Sequence, residues 1–187
     1  MLAKTVISGS GGQGVLSLGA TLATAAMLEG KHVTYLPSYG VEVRGGTANC
    51  AVCVSDEEIA SPVASEPDVV VAMNQPSFVR FQGALQSGGL LCANSTLVHT
   101  ETARGDIEVL AVPMSELASE LGSIKVANMI MLGALIRASD MISYDAMVGN
   151  LVEILGKGRA RLLDLNQKAL ALGYEYAKDQ DYAKDQG

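Results

Sequence analysis

The sequence predicts an α/β fold: a three-layer sandwich on a mostly parallel sheet with an antiparallel edge hairpin. Three observations predict it. Short apolar runs alternate with longer helical patterns along the 187 residues, the layout of strands and crossover helices. The run Asp68–Met73 is apolar without alternation, as in a strand buried on both faces. A glycine-rich turn, Gly9-Ser10-Gly11-Gly12-Gln13-Gly14, joins the apolar run Thr5-Val6-Ile7 to an apolar helical stretch.

The first strand is expected over Lys4–Ser8 and the first helix over Val15–Leu28, ended by Gly30. His32–Leu36 is a second strand, and Pro37–Gly46 a polar, glycine-rich loop. A third strand, Thr47–Val54, turns at Ser55–Glu58, and Ile59–Ser61 is expected to pair back as a short hairpin arm. After the strand Asp68–Met73, Pro76 opens a helix to about Leu85. Strands follow at Leu90–Ala93 and Ile107–Val112. Ser115 is expected to cap a short helix through Leu121. Helices over Val126–Ala138, Tyr144–Leu155 and Arg159 to about Lys178 complete the chain. One domain over 1–173 is expected. Residues 174–187, where Tyr-Ala-Lys-Asp-Gln occurs twice, read as a solvated helix end.

Hydrophobic residues make up 49%, charged ones 18% and aromatics only 4%, with no Trp, so the core must be aliphatic and rich in methionine. A net charge of −7 argues against nucleic acid or an acidic membrane surface as partner. No apolar run reaches the ~18 residues of a membrane span. Met1–Lys4 leads into a strand without a signal-peptide layout. With three cysteines, an odd count, the expectation is reduced thiols in a cytoplasm.

Two helices carry too much apolar surface for a single stripe: Val15–Leu28 and the stretch Ile124–Ile136. Such a helix is either central in a large domain or covered by another chain. At this length the second is favoured for at least one of them.

A strand, a glycine turn and a helix start form a place to hold an anion, because the first-turn N–H groups are free and the dipole end is positive. Gly9, Gly11 and Gly14 fit dinucleotide spacing, but the acidic ribose anchor expected roughly 20 residues on is missing. Glu29 falls at the helix end, and Glu42 in the loop beyond the second strand. The motif leaves a phosphate-bearing ligand and a ligand-free tight turn both open. Catalytic sets are otherwise absent. His32 and His99 are isolated, no Walker sequence occurs, and Cys50 and Cys53 lie three apart on a strand, hence on opposite faces. With Cys92 they are too few for an iron–sulfur cluster.

The loop Ser38-Tyr39-Gly40-Val41-Glu42-Val43-Arg44-Gly45-Gly46 would emerge on the same sheet edge as the glycine turn, where Arg44 can meet an anion. Together, Gly9-x-Gly-Gly-Gln-Gly14, Ser38-Tyr-Gly-x-Glu-x-Arg-Gly-Gly46 and Met73-Asn-Gln-Pro76 resemble the gamma subunit of 2-oxoacid:ferredoxin oxidoreductases over about Lys4 to Leu172. The run Arg44–Cys50 looks more like the 2-oxoglutarate type than the pyruvate type. The resemblance implies a non-redox component that packs over the active site and contributes to coenzyme A binding. Thiamine diphosphate, magnesium and iron–sulfur clusters would then belong to partner subunits, alpha, beta and a ferredoxin-like delta, with ferredoxin reached indirectly. The residues it implicates are Gly9, Gly11, Gly12, Gln13, Gly14, Tyr39, Glu42, Arg44 and Gly45, with Tyr39 a candidate to stack on an adenine. No catalytic residue and no metal ligand is expected on this chain, and the isolated chain should be inactive and self-associate. The competing readings are a free-standing nucleotide-dependent oxidoreductase and a structural subunit without ligand.

Overall fold

The computed structural model describes residues 1–39, 47–156 and 160–184. Its strands are β1 (Leu2–Ser10), β2 (His32–Tyr39), β3 (Thr47–Ser55), β4 (Val69–Ala72), β5 (Leu90–Asn94) and β6 (Glu108–Val112). They form one sheet in the order β2-β3-β1-β4-β5-β6. β1, β4, β5 and β6 are mutually parallel, while β3 runs antiparallel to both β1 and β2. The helices are α1 (Val15–Leu28), α2 (Gln75–Phe81), α3 (Met114–Glu120), α4 (Ala127–Ser139), α5 (Tyr144–Gly149), α6 (Leu151–Leu155) and α7 (Ala160–Lys184), with a 3₁₀ turn at Ile124–Val126 before α4.

The antiparallel element is real but differs from the one expected. Seven residues separate Tyr39 from Thr47, too few for the dozen or more a parallel crossover needs, so β3 returns antiparallel beside β2. All nine β3 residues pair with β1, and eight of the same residues pair with β2. No ladder is left for Ile59–Ser61, which form no strand. β2 also runs three residues past Leu36, through Pro37, which an edge strand tolerates because one side of its backbone needs no partner.

The other departures are local. Ser115 does not cap α3; the cap position is Pro113, with no side-chain bond. The helix expected over Tyr144–Leu155 breaks at Asn150, whose Nδ2 donates 2.8 Å to the Ala146 carbonyl. The last helix, by contrast, passes through Gly173 as expected, α7 spanning Ala160–Lys184 with Ala177 buried and the Tyr174 ring 4.2 Å from that of Tyr144.

One sheet face carries the main core: Ile7, Cys50, Val52, Val71 and Cys92 against Leu18 and Leu22 of α1 and Met131, Leu132 and Leu135 of α4. The other is thinner, with Val6, Val70, Ala72 and Leu91 under Phe78 of α2. Each of the Val, Leu, Ile, Met and Phe side chains among them, fully buried, contributes about 1.5–3 kcal/mol of hydrophobic stabilisation. α4 is covered within the chain. It lies under α7, and nine of its thirteen residues are buried. Its all-round apolar character therefore reflects a central helix, so of the two helices only α1 is left for the expected cover by another chain. α1 is buried at eight of its fourteen positions, with Met27 left exposed. Among the described residues no helix is long and apolar enough to cross a membrane.

The α4–α7 crossing is set by two glycines. A Cβ on Gly133 would lie 2.0 Å from the Leu170 carbonyl oxygen, and one on Gly173 1.8 Å from that of Ile130.

A second fastening ties the turn before β6 to the end of α2. Arg104 donates to the Gln82 and Leu85 carbonyls at 2.9 and 2.6 Å and pairs with Asp106 at 2.9 and 2.5 Å. The Arg104 hydrogen bonds hold the Asp106 carboxyl down at about 2, against an ordinary value of 3.8. The folded-state value is the lower one, so this pair stabilises above pH 3.8 and the contribution disappears as pH falls through about 2. Thermal midpoints measured across that window should fall less with acid in Arg104→Ala than in the wild type.

Candidate functional site

β1 ends at Ser10, and the chain reverses through Gly11–Gly14 into α1. Gly12 and Gly14 take φ of 94° and 78°, left-handed values that favour glycine. Gly14 is the N-cap of α1, and no side chain bonds its first turn. Gln13 latches the loop: its Oε1 accepts from Ser10 N at 2.7 Å, and its Nε2 donates to the Met73 carbonyl at 3.0 Å. Gly9 makes room for that latch, since a Cβ there would sit 2.7 Å from Gln13 Oε1.

The Met73-Asn-Gln-Pro76 motif proves to be a fastener. Besides the Met73 carbonyl, Asn74 caps α2 by accepting from Ser77 N at 3.0 Å and donates to Ser10 Oγ at 2.6 Å. Gln75 Oε1 accepts from His99 N at 2.7 Å. The loops at the carboxyl edge of β1, β4 and β5 are thus stitched together.

Above that edge opens a cavity of about 540 Å³, within the roughly 300–1,000 Å³ of ligand pockets. Gly12, Gln13, Gly14 and Ser17 form one wall; Lys125, Ala127 and Asn128, at the start of α4, form another. Met114 and Ser115 of α3 lie between, with Leu97 and Ile124 as an exposed apolar rim. The N-terminal turns of α1 and α4 therefore converge, both without side-chain caps. The free first-turn N–H groups of α1 and the positive dipole ends of both helices favour an anion; at α4 the preceding 3₁₀ turn already takes the Ala127 N–H, which donates to the Ile124 carbonyl. Lys125 adds the one formal charge in the lining and has no ion pair among the described residues. Gly14 and Asn128 are in tight register, a Cβ on Gly14 falling 2.9 Å from the Asn128 amide.

Of the residues singled out by sequence, the structure brings Gly12, Gln13 and Gly14 to the cavity, keeps Gly9 beneath the loop, and leaves Gly11 exposed at the turn outside the lining. Tyr39 closes β2 in the row Tyr39–Ala48–Gly9, so β2 does reach the edge of the glycine turn. Its side chain, and Glu42, Arg44 and Gly45, lie outside the described residues. Sequence reasoning missed Lys125, Asn128, Ser17 and Ser115. The available signal was Lys125 and Asn128, polar residues at the mouth of an otherwise apolar helix.

The cysteines sit apart. Cys50 is buried with Sγ 3.8 Å from the Val15 carbonyl, and burial pushes its thiol up to about 12. Burial, with Glu108 adding, does the same to Cys92. Cys53 is buried with Sγ 3.8 Å from the Pro62 carbonyl. Among the described residues no three His, Cys, Asp or Glu side chains are grouped to hold a metal ion.

Comparison with known proteins places this arrangement. The family model described as pyruvate ferredoxin/flavodoxin oxidoreductase matches residues 4–176. The 2-oxoglutarate synthase subunit KorC of Methanocaldococcus jannaschii is 34% identical, covering 92% of each chain. The ketoisovalerate oxidoreductase subunit VorA of Methanothermobacter thermautotrophicus is 37% identical over 94% of this chain, which spans 36% of that relative's length. Among solved structures, the keto/oxoacid ferredoxin oxidoreductase gamma subunit from Geobacter sulfurreducens superposes with a TM-score of 0.80 at 28% identity, covering 95% of this chain and 99% of that one. The 2-oxoglutarate:ferredoxin oxidoreductase from Magnetococcus marinus, with 2-oxoglutarate, coenzyme A and succinyl-CoA bound, gives a TM-score of 0.86 at 26% identity, covering 95% of this chain and 31% of that one. A family model matched over residues 4–176, a relative 34% identical along nearly its whole length and a solved gamma subunit of the same fold establish that the chain is a gamma-type member of the pyruvate ferredoxin/flavodoxin oxidoreductase family.

Proposed function

We propose that this chain is the non-redox gamma subunit of a thiamine diphosphate- and iron–sulfur-dependent 2-oxoacid:ferredoxin oxidoreductase, and that its cavity contributes to coenzyme A binding. The observation that carries the reading is the convergence of the Gly12–Gly14 turn, the first turn of α4 and Lys125 on one cavity. Coenzyme A brings a pyrophosphate and a 3′-phosphate, which suit backbone N–H groups and a lysine. It also brings an adenine, which suits the rim of Leu97 and Ile124. Gly9, Gly11, Arg44, Gly45, Glu42 and Tyr39 belong to the same proposal, as the residues that complete the edge. The thiamine diphosphate, its magnesium and the clusters are assigned to alpha, beta and delta-type partners, which hand electrons to ferredoxin. These partners also cover exposed apolar positions such as Met27 and Leu36, so the isolated chain is inactive and self-associates. A reducing cytoplasm suits its three free cysteines.

The proposed reaction converts 2-oxoglutarate and coenzyme A to succinyl-CoA and CO2 while reducing ferredoxin. The run Arg44–Cys50 supports that substrate. The relatives' names also include ketoisovalerate oxidoreductase and pyruvate synthase, so the decisive assay offers all three acids. The chain is captured from native anaerobic extract, and coenzyme A-dependent oxidation of 2-oxoglutarate, 2-oxoisovalerate and pyruvate is followed with a viologen dye. Co-purifying larger chains with 2-oxoglutarate activity support the reading. Preference for another acid corrects the substrate, and a chain captured alone without activity overturns the subunit assignment. In the assembled complex, Lys125→Ala should raise KM for coenzyme A roughly tenfold or more, the value of a charge-assisted hydrogen bond, and Lys125→Arg should largely retain it. An unchanged KM in Lys125→Ala would favour a ligand-free subunit.

A further inference from the structure

We infer that Asn94 is a positioning residue for the ligand of this cavity, joining its two walls and presenting the Ser115 hydroxyl as a donor to that ligand; the inference rests on the coenzyme A reading above. Asn94 closes β5 after four apolar residues, Leu90–Ala93, and has no exposed surface. An amide buried this deeply is costly unless its polar atoms are used. Its Nδ2 donates to Ser115 Oγ at 3.0 Å and to the Met73 carbonyl at 3.3 Å. That carbonyl also accepts from Gln13 Nε2. Because a carbonyl only accepts, the Met73 contact fixes which way the amide faces. One carbonyl and one amide thereby connect Gln13 on the α1 wall to Ser115 on the α3 wall.

The bond has a polarity that matters at the cavity. A serine hydroxyl has one proton and two lone pairs. Ser115 Oγ accepts from Asn94 and has no acceptor of its own among the described residues, so its proton remains to be given to a ligand oxygen. An aliphatic residue at position 94 would pack as well as its four predecessors and would leave that hydroxyl unoriented. The Asn94 Oδ1 is buried without a partner. A position selected for core packing alone has no reason to bear such an atom.

The test is a double-mutant cycle in the assembled oxidoreductase. Asn94→Ala and Ser115→Ala should each raise KM for coenzyme A roughly five- to tenfold, leaving kcat near the wild-type value. Combining them should be no worse than Ser115→Ala alone, because Asn94 acts through Ser115. Ser115→Thr, which retains the hydroxyl, should restore KM. A fall in thermal midpoint with KM for coenzyme A unmoved would mark Asn94 as merely structural and sink the inference, as would additive effects. If Asn94→Ala does not assemble, Asn94→Ser replaces it in the cycle with the same expectations. Lys125→Ala is measured alongside. If it raises KM while the Asn94 and Ser115 variants do not, only this inference falls; if none moves KM, the coenzyme A reading falls with it.

Discussion

Gly133→Ala should destabilise the protein by about 3 kcal/mol, at the upper end of the range for overpacking. The added Cβ would fall 2.0 Å from the Leu170 carbonyl oxygen and 2.9 Å from Tyr174 N, both backbone atoms that no rotamer change can move away. The helices must separate, and Gly173, opposed to the Ile130 carbonyl, would lose its own close contact. A mid-helix glycine already costs about 1 kcal/mol relative to alanine, so on propensity alone the substitution should stabilise. The contact reverses the sign. In a domain of this size the midpoint should drop by roughly 6–12 °C, read by calorimetry or circular dichroism. Gly149→Ala is the control: nothing lies within 4 Å of a Cβ there, within helix α5, and the midpoint should hold or rise. If Gly133→Ala behaves like Gly149→Ala, the crossing is looser than described.

Gly9→Val should have the largest effect on the site. Its Cβ would lie 2.7 Å from Gln13 Oε1 and 2.9 Å from both Met73 Cβ and Val15 Cγ2, and the valine methyls extend further. Gln13 must withdraw, leaving Ser10 N without its acceptor and the Met73 carbonyl without one of its two donors. Losing two hydrogen bonds costs about 1–3 kcal/mol, before any movement of the Gly12–Gly14 wall. We expect kcat/KM for coenzyme A in the assembled complex to fall at least about 30-fold, a loss of about 2 kcal/mol in transition-state stabilisation. Gln13→Ala removes the same bonds without the bulk and should fall by about tenfold or less. Equal, small effects from both would mean that the latch does not set the cavity wall.

What the sequence made legible was local. Val15–Leu28 is bracketed by Gly14 and Gly30, both with positive φ, and the helix was predicted over those same bounds. The strands β4 and β5 were readable as unbroken apolar runs, because a central parallel strand faces core on both sides. Pairing was less legible. The partner of β3 depends on β1, some 45 residues away in sequence, and no local signal tells Ile59–Ser61 that both sides of β3 are taken. Asn150 broke a helix whose apolar spacing continued across it, since its amide competes for the Ala146 carbonyl. The glycine wall of the site was visible as a motif. Its opposite wall, Lys125 and Asn128, enters only once the β6–α3–α4 connection folds α4 back over the carboxyl edge, a juxtaposition that spacing does not encode. Asn94 was invisible for the same reason: its meaning lies in Met73 and Ser115, which are neighbours only in space.

The glycine crossing also sets a timetable. α4 has apolar residues on nearly every side, and its cover, α7, is synthesised after it. About 45 residues separate Ser139 from Lys184, so at about 5–20 residues per second the ribosome leaves α4 bare for roughly 2–9 s. During that interval the nascent chain leaves open the face of α4 that carries Ile130 and Gly133, which α7 later covers. The vulnerable moment in the life of this subunit is thus its birth, and the enzyme it serves depends on the last helix arriving before a stranger does.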